Sequence, residues 1–250
     1  MPFRGSLPTM DSRETLVHAI DTALGRPGLG DALAGRLRIT AIDFARGDTI
    51  VRAGREVSVM FCVQSGWLTA LRYLANGSRQ LLDFYVANDL VGLEYLGRAR
   101  ASADLVAQAG GTALSIPIGD FKRAVADDPD ASAALLSLMS RRINALQTRL
   151  TVFSNGNATT KLIHLLHGLY VKQRRNGVAD PHVIRTPLTQ TDIADALGLT
   201  TVTVNRAFGT LEGAGLTGFA SGAITIHDPE AMLAMTDGVV DTTPFTDTFG

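Results

Sequence analysis

The chain has 250 residues, 46% hydrophobic and 19% charged, which is enough apolar material for an ordinary core and a length that suggests two domains. Its 23 basic residues are matched by 24 acidic ones, which excludes a general attraction to polyanions and leaves room only for a localised nucleic-acid site. A single cysteine, Cys62, excludes an intrachain disulfide framework and a four-cysteine zinc or iron–sulfur site.

No apolar run approaches the roughly 18 residues of a membrane span. The opening "MPFRGSLPTMDSRETL" lacks the basic-then-apolar layout of a signal peptide, so the cytoplasm is the expected location, with no membrane partner. Residues Thr15 to Leu37 read as one or two short helices broken by "GRPGLG". From about Ile39 to Ile118 the chain consists of short β-rich runs separated by Gly, Asn, Asp and Ser, which predicts a β-sandwich or small barrel. Within it, Asn76-Gly77 predicts a hairpin through a type I′ turn, and Gly66 a second turn or bend. Cys62 lies in a strand-like run and reads as a small buried apolar residue rather than a redox switch. No histidine occurs between His18 and His164, so the barrel offers no imidazole for a metal centre or haem, and no cofactor is expected.

From Pro129 to Phe153 the period becomes helical. Leu136, Met139, Ile143, Leu146, Leu150 and Phe153 are spaced by 3, 4, 3, 4 and 3 residues, a heptad stripe. Two readings stand: a helix packed on its own barrel, or the seam of a homodimer. The narrow stripe and its flanking Arg141, Arg142, Asn144, Gln147 and Arg149 favour the second. "SNGNA", residues 154 to 158, reads as a hinge, followed by a helix from about Thr159 to Gln173 and a loop containing "NGVADPH". His164 and His167 share a face of that helix at i, i+3 and read as core or surface histidines.

In "TPLTQTDIADALG", Thr189 and Asp192 form a candidate capping box, and Gly198 closes the helix. Next comes "LGLTTVTVNRAF", in which Thr200 to Val204 are all β-branched and propensity alone favours a strand. On a helical wheel Val204, Ala207, Phe208 and Leu211 cluster, opposite Val202, Asn205, Arg206 and Gly209; a strand would put Arg206 among the apolar side chains. The β-branched run costs roughly a few tenths of a kcal/mol per residue. Burying Val204, Phe208 and Leu211 returns about 1.5–3 kcal/mol each, so a helix is expected. Two short helices around a glycine turn, followed by β-runs flanking "ASG", make a helix-turn-helix with a wing, although an ordinary helical hairpin has the same spacing. Residues after about Ala234 read as a loose tail.

The run "LTQTDIADALGLTTVTVNRAFGTLEGAGL" resembles the winged-helix module of the cyclic-AMP receptor protein/Fnr (Crp/Fnr) superfamily of bacterial transcription regulators. The element order and "NDLVGLE" resemble that family as well. The resemblance implies an α+β chain: N-terminal helices and a cyclic-nucleotide-binding-like jelly roll (1–128), a dimerisation helix and hinge (129–156), and a winged helix-turn-helix (157–234), with the tail at 235–250. It implies as partners a second copy of the chain, double-stranded DNA with a pseudo-palindromic operator, and RNA polymerase. By motif position Thr189, Gln190, Thr191, Thr200 and Thr203 would lie near phosphates, and Thr201, Val202, Asn205 and Arg206 would face base edges. Arginine suits guanine, asparagine adenine, and valine a thymine methyl. Where the family's best-known pattern has Arg-Glu or Glu, this chain has Thr201 and Val202, so a different outer sequence is expected. Arg206 could instead pair with Glu212.

Cyclic-nucleotide binders of the family use a glutamate for the ribose and an Arg-Ser or Arg-Thr pair for the phosphate. Here those positions hold Leu93 and Ala101-Ser102, with Glu94 and Arg100 each displaced by one residue. Control by cyclic AMP is therefore not expected. The alternatives kept open are a regulator switched by a cyclic nucleotide or another small molecule in a pocket around Leu93, Glu94, Arg100 and Ser102, and an interaction protein that no longer binds DNA.

Overall fold

In the computed structural model, residues 11–176, 180–220 and 223–240 are described. Two helices open this span, α1 (Ser12–Leu24), closed by Gly25 in the left-handed conformation, and α2 (Leu29–Ala34). Their approach requires glycine at position 30, because a Cβ there would lie 2.3 Å from the Val17 carbonyl oxygen. The Gly30 N–H donates to Asp21 Oδ1 at 2.6 Å across the same contact. Leu16, Ile20, Leu24 and Leu33 from the pair join the buried core of the β-domain.

Eight strands follow: β1 (Thr40–Phe44), β2 (Thr49–Val51), β3 (Val59–Val63), β4 (Trp67–Tyr73), β5 (Arg79–Tyr85), β6 (Leu90–Val91), β7 (Asp104–Ala109) and β8 (Gly111–Pro117). They form two antiparallel four-stranded sheets, β1-β8-β3-β6 and β2-β7-β4-β5. This is the expected jelly roll. Met60, Phe61, Cys62, Val63, Leu114 and Ile116 fill its core, and burial pushes the Cys62 thiol up from its ordinary value, with Asp89 adding to the effect, so the side chain stays an uncharged apolar filler.

The hairpin at Asn76-Gly77 exists but is not the type I′ turn expected. Leu74 accepts the N–H of Gly77 at 2.9 Å and donates its own to Ser78 at 2.8 Å. Gly77 alone has positive φ, +82°. The loop has three residues, Ala75 to Gly77, with glycine at the bulge position. The register Tyr73↔Arg79, set by pairing along the strands, leaves three residues to be spanned rather than two.

Beyond β8 the chain forms α3 (Ile118–Ala126), an element the sequence reading passed over. Its Asp120 is buried, and the hydrogen bond from Arg38, Nε to Oδ2 at 2.7 Å, holds its carboxyl below the usual range, with the charge of Arg123, also bonded to it, adding to the effect. α4 (Pro129–Asn155) is the long helix. Among the described residues no helix is long and apolar enough to cross a membrane.

The chain divides into two compact units, residues 1–140 and 141–250, and the division falls inside α4. In the first unit, Ala131, Ala134 and Leu138 of α4 are buried in the β-domain core. In the second, α4 ends at Asn155; a Cβ at Gly156 would lie 2.5 Å from the Val152 carbonyl oxygen. Asn157 then caps α5 (Ala158–Arg175) by accepting the Thr160 N–H at 2.9 Å. The second unit continues with β9 (Val183–Arg185), α6 (Gln190–Leu197), α7 (Thr201–Gly213), β10 (Thr217–Ala220), β11 (Ala223–Ile226) and α8 (Pro229–Ala234). The expected tail from 235 needs correction: Thr236 and Val240 are buried, and residues 241–250 lie outside the described ones.

Candidate nucleic-acid interface

α6 begins at a reciprocal capping box. Thr189 Oγ accepts the Asp192 N–H at 3.1 Å, while Asp192 Oδ2 accepts the Thr189 N–H at 2.8 Å and its hydroxyl proton at 2.7 Å. A hydroxyl has one proton, so that of Thr189 is already donated, whereas Gln190 and Thr191 are exposed. Gly198, at φ +64°, turns the chain, and the Leu199 N–H returns to the Ala194 carbonyl at 3.0 Å. That single left-handed residue sets the angle at which the next helix leaves.

Thr200 caps α7, its Oγ accepting the Thr203 N–H at 3.2 Å and lying 2.9 Å from Thr203 Oγ. The two hydroxyls share one hydrogen bond, which leaves one proton of the pair to donate outward. Val204, Ala207, Phe208 and Leu211 are buried, and Thr201, Val202, Asn205, Arg206, Gly209 and Thr210 are exposed. The helix that the wheel predicted therefore forms despite its β-branched start, because packing outweighs propensity. Arg206 makes no ion pair with Glu212 or any other acid among the described residues.

The strands form a sheet of order β10-β11-β9. β10 and β11 are the wing, and the rings of Phe208 and Phe219, 6.2 Å apart, brace it against α7. β9 pairs with β11 through Ile184↔Ile224, both fully buried. Sequence reasoning left β9 inside a loop, since three residues carry too little periodicity. Its only signal was the β-branched pair in "HVIRT".

Two family models match the chain. A Crp-like helix-turn-helix domain covers residues 160–235, and a cyclic nucleotide-binding domain covers residues 41–128. The chain is 26% identical to the fumarate and nitrate reduction regulatory protein of Salmonella typhimurium over 190 residues, 76% of either chain.

The chain belongs to the Crp/Fnr superfamily of bacterial transcription regulators.

Its fold is similar to that of FixK2 from Bradyrhizobium japonicum, with a TM-score of 0.70 at 20% identity over 78% of this chain and 96% of that one. The global regulator CLP of Xanthomonas campestris, described as responsive to c-di-GMP, shares the fold at TM-score 0.61 and 14% identity, over 80% and 99%. Like other Crp/Fnr regulators, this one joins a cyclic-nucleotide-binding-like domain to a DNA-binding helix-turn-helix.

In the sensor-like domain, the stretch that the resemblance marks as a candidate effector pocket begins at Gly92, φ +90°, and continues as a 3₁₀ turn over Leu93–Gly97. Leu93 is buried and Glu94 exposed. Arg100 donates to the Gly54 carbonyl at 2.9 Å and pairs with Glu56 at 3.3 Å. Ser102 is half-buried, and its carbonyl accepts from Arg72 Nε at 3.2 Å. The arginine is engaged in an exposed ion pair with Glu56.

His164 and His167 of this Crp/Fnr chain have pKa values lowered from 6.5 to about 4. Burial is the main cause for both, with Arg149 and then His167 adding to it at His164. The unfolded chain binds protons below about pH 6.5 that the folded unit refuses until about pH 4. Their stability contribution is thus complete above pH 6.5 and lost as pH falls through that window. Urea titrations at pH 7 and pH 5 are expected to differ by on the order of 1–2 kcal/mol per histidine. The double variant His164→Gln/His167→Gln should flatten the difference, and an unchanged pH dependence in it would disprove the assignment.

Proposed function

We propose that the protein is a homodimeric, sequence-specific DNA-binding regulator of transcription, cytoplasmic, acting with RNA polymerase and not controlled by cyclic AMP. The observation that carries this reading is the outward edge of α7, where Thr201, Val202, Asn205 and Arg206 are exposed together behind a buried apolar face. Arg206 would grip guanine O6 and N7, and Asn205 the N6 and N7 edge of adenine. Gln190, Thr191 and the Thr200–Thr203 pair would hold phosphates, with Thr189 serving as the cap that positions them.

Dimerisation is supported by α4, where Leu136, Ile143, Leu146 and Leu150 are 70%, 56%, 63% and 68% exposed, while Met139 and Phe153 are half-buried. Large aliphatic side chains at heptad spacing, open to water, are the material of a two-stranded seam. A two-fold axis along it would set two recognition helices about 34 Å apart, hence a pseudo-palindromic operator. Independence from cyclic AMP is supported by Leu93 at the ribose position and by the engagement of Arg100 with Glu56 and Gly54, which leaves a cyclic phosphate without its counter-charge. On this reading residues 129–156 are the dimerisation element between a sensor-like domain and the DNA-binding domain.

Selection from a random DNA pool with the purified protein tests the main claim, and an enriched inverted repeat is the expected result. Isothermal calorimetry with cyclic AMP and cyclic GMP is expected to give no heat at millimolar ligand. Binding to a palindromic probe should weaken as salt rises, because phosphate contacts release counterions. Salt-independent retention with no enriched sequence would refute it.

A further inference from the structure

Val202 stands in the first turn of α7 with 60% of its surface exposed, the one large apolar side chain of that helix left open to solvent. A β-branched residue lowers helix propensity, and among the described residues little burial of its side chain compensates. At 3.6 residues per turn, Val202 falls between Gly209 and Arg206 and nearly opposite the buried Leu211, so it sits at the centre of the outward edge. Gly209 is the second observation. It lies inside a 13-residue helix, and a Cβ built on it would meet nothing within 4 Å. Glycine is a poor helix former, and among the described residues no close contact requires it at this position.

Given that α7 reads DNA, both features acquire a reason. A bare surface at Gly209 lets the helix sit deep in the groove, and depth is what a short branched side chain needs to touch a base. The major-groove edges of the four base pairs present donors, acceptors and a single apolar group, the thymine C5 methyl. Against cytosine N4 or adenine N6, valine would bury an unpaired donor. We propose that Val202 reads the C5 methyl of one thymine in each operator half-site, in a contact made close by the bare helix surface at Gly209.

The probe is a site enriched from the random pool, with each thymine replaced singly by deoxyuridine, which removes only the methyl. One thymine per half-site is expected to be sensitive, its replacement weakening the wild type about three- to fourfold, and about tenfold when both are replaced, the size of one buried methyl each. Val202→Ala should bind the thymine site more weakly by a similar factor and no longer distinguish the two bases. Gly209→Ala should raise the melting temperature yet weaken binding and shrink the deoxyuridine effect. A wild type indifferent to every methyl, or a Val202→Ala variant as sensitive as wild type, overturns the proposal. So does a loss of sensitivity in Thr201→Ser, which deletes the neighbouring methyl, without one in Val202→Ala. If no sequence enriches at all, the DNA-binding reading fails first, so the two failures are separable.

Discussion

Replacing Leu146 and Leu150 together by glutamate is expected to convert the proposed dimer to a monomer at micromolar concentration and to weaken operator binding at least a hundredfold. Each leucine is worth about 1.5–3 kcal/mol when fully buried. The symmetry of the pair doubles that, and each introduced carboxylate would have to lose its water. A total of several kcal/mol moves a nanomolar dimer beyond micromolar, since every 1.4 kcal/mol is tenfold. Within one chain the same side chains are 63% and 68% exposed, so the helix and the fold should survive. Glutamate also keeps helix propensity. Sedimentation equilibrium and far-ultraviolet circular dichroism measure the two expectations separately. A dimer that persists with unchanged helix content would place the seam elsewhere.

Arg206→Ala is expected to cost about 1–3 kcal/mol per half-site and to relax discrimination at one base pair in each. With two half-sites engaged, the affinity of the dimer should fall by at least about thirtyfold on the selected site. On random DNA the loss should be smaller, because only a charge is removed there. Arg206→Lys separates the contributions: it keeps the charge but not the planar two-pronged donor, so affinity for random DNA should recover while discrimination does not. Equal affinity of wild type and Arg206→Ala for the selected site would show that the residue is not a reader. Arg206 is the only basic residue from Gln190 to Gly213, so no neighbour on these two helices can substitute for it.

How far the sequence reached varies element by element. α7 was readable because its decision is local: four apolar residues within three turns, a threonine cap ahead of them, and a polar remainder. The same holds for Gly198 and for the Thr189–Asp192 box, each determined by residues within one turn. α3 and α8 were also written locally, the latter by Asp228 as cap and Pro229 in the first turn; α8 is only six residues long, and α3, no shorter than α6, lacks a side-chain cap at its start to announce it. β9 was different. Its three residues become a strand only because Ala223–Ile226 offers a partner, Ile184 meeting Ile224 forty positions further on, across sequence that itself had to fold. The Asn76-Gly77 turn likewise took its form from strand register rather than from the dipeptide.

Taken alone, the amino-acid order determined the alternation of short strands, the heptad stripe on α4, the glycine between α6 and α7, and which edge of α7 is polar. All of these follow from periods and caps that act over a few residues, where backbone geometry dictates who meets whom. Tertiary structure alone decided the pairing of β1 with β8 and β2 with β7 and the commitment of Arg100 to Glu56. It also decided the split of α4 into a buried face at Ala131, Ala134 and Leu138 and an open one at Leu136, Ile143, Leu146 and Leu150. Those outcomes depend on partners dozens of residues away, and the free energy that selects them exists only once the partners are in contact.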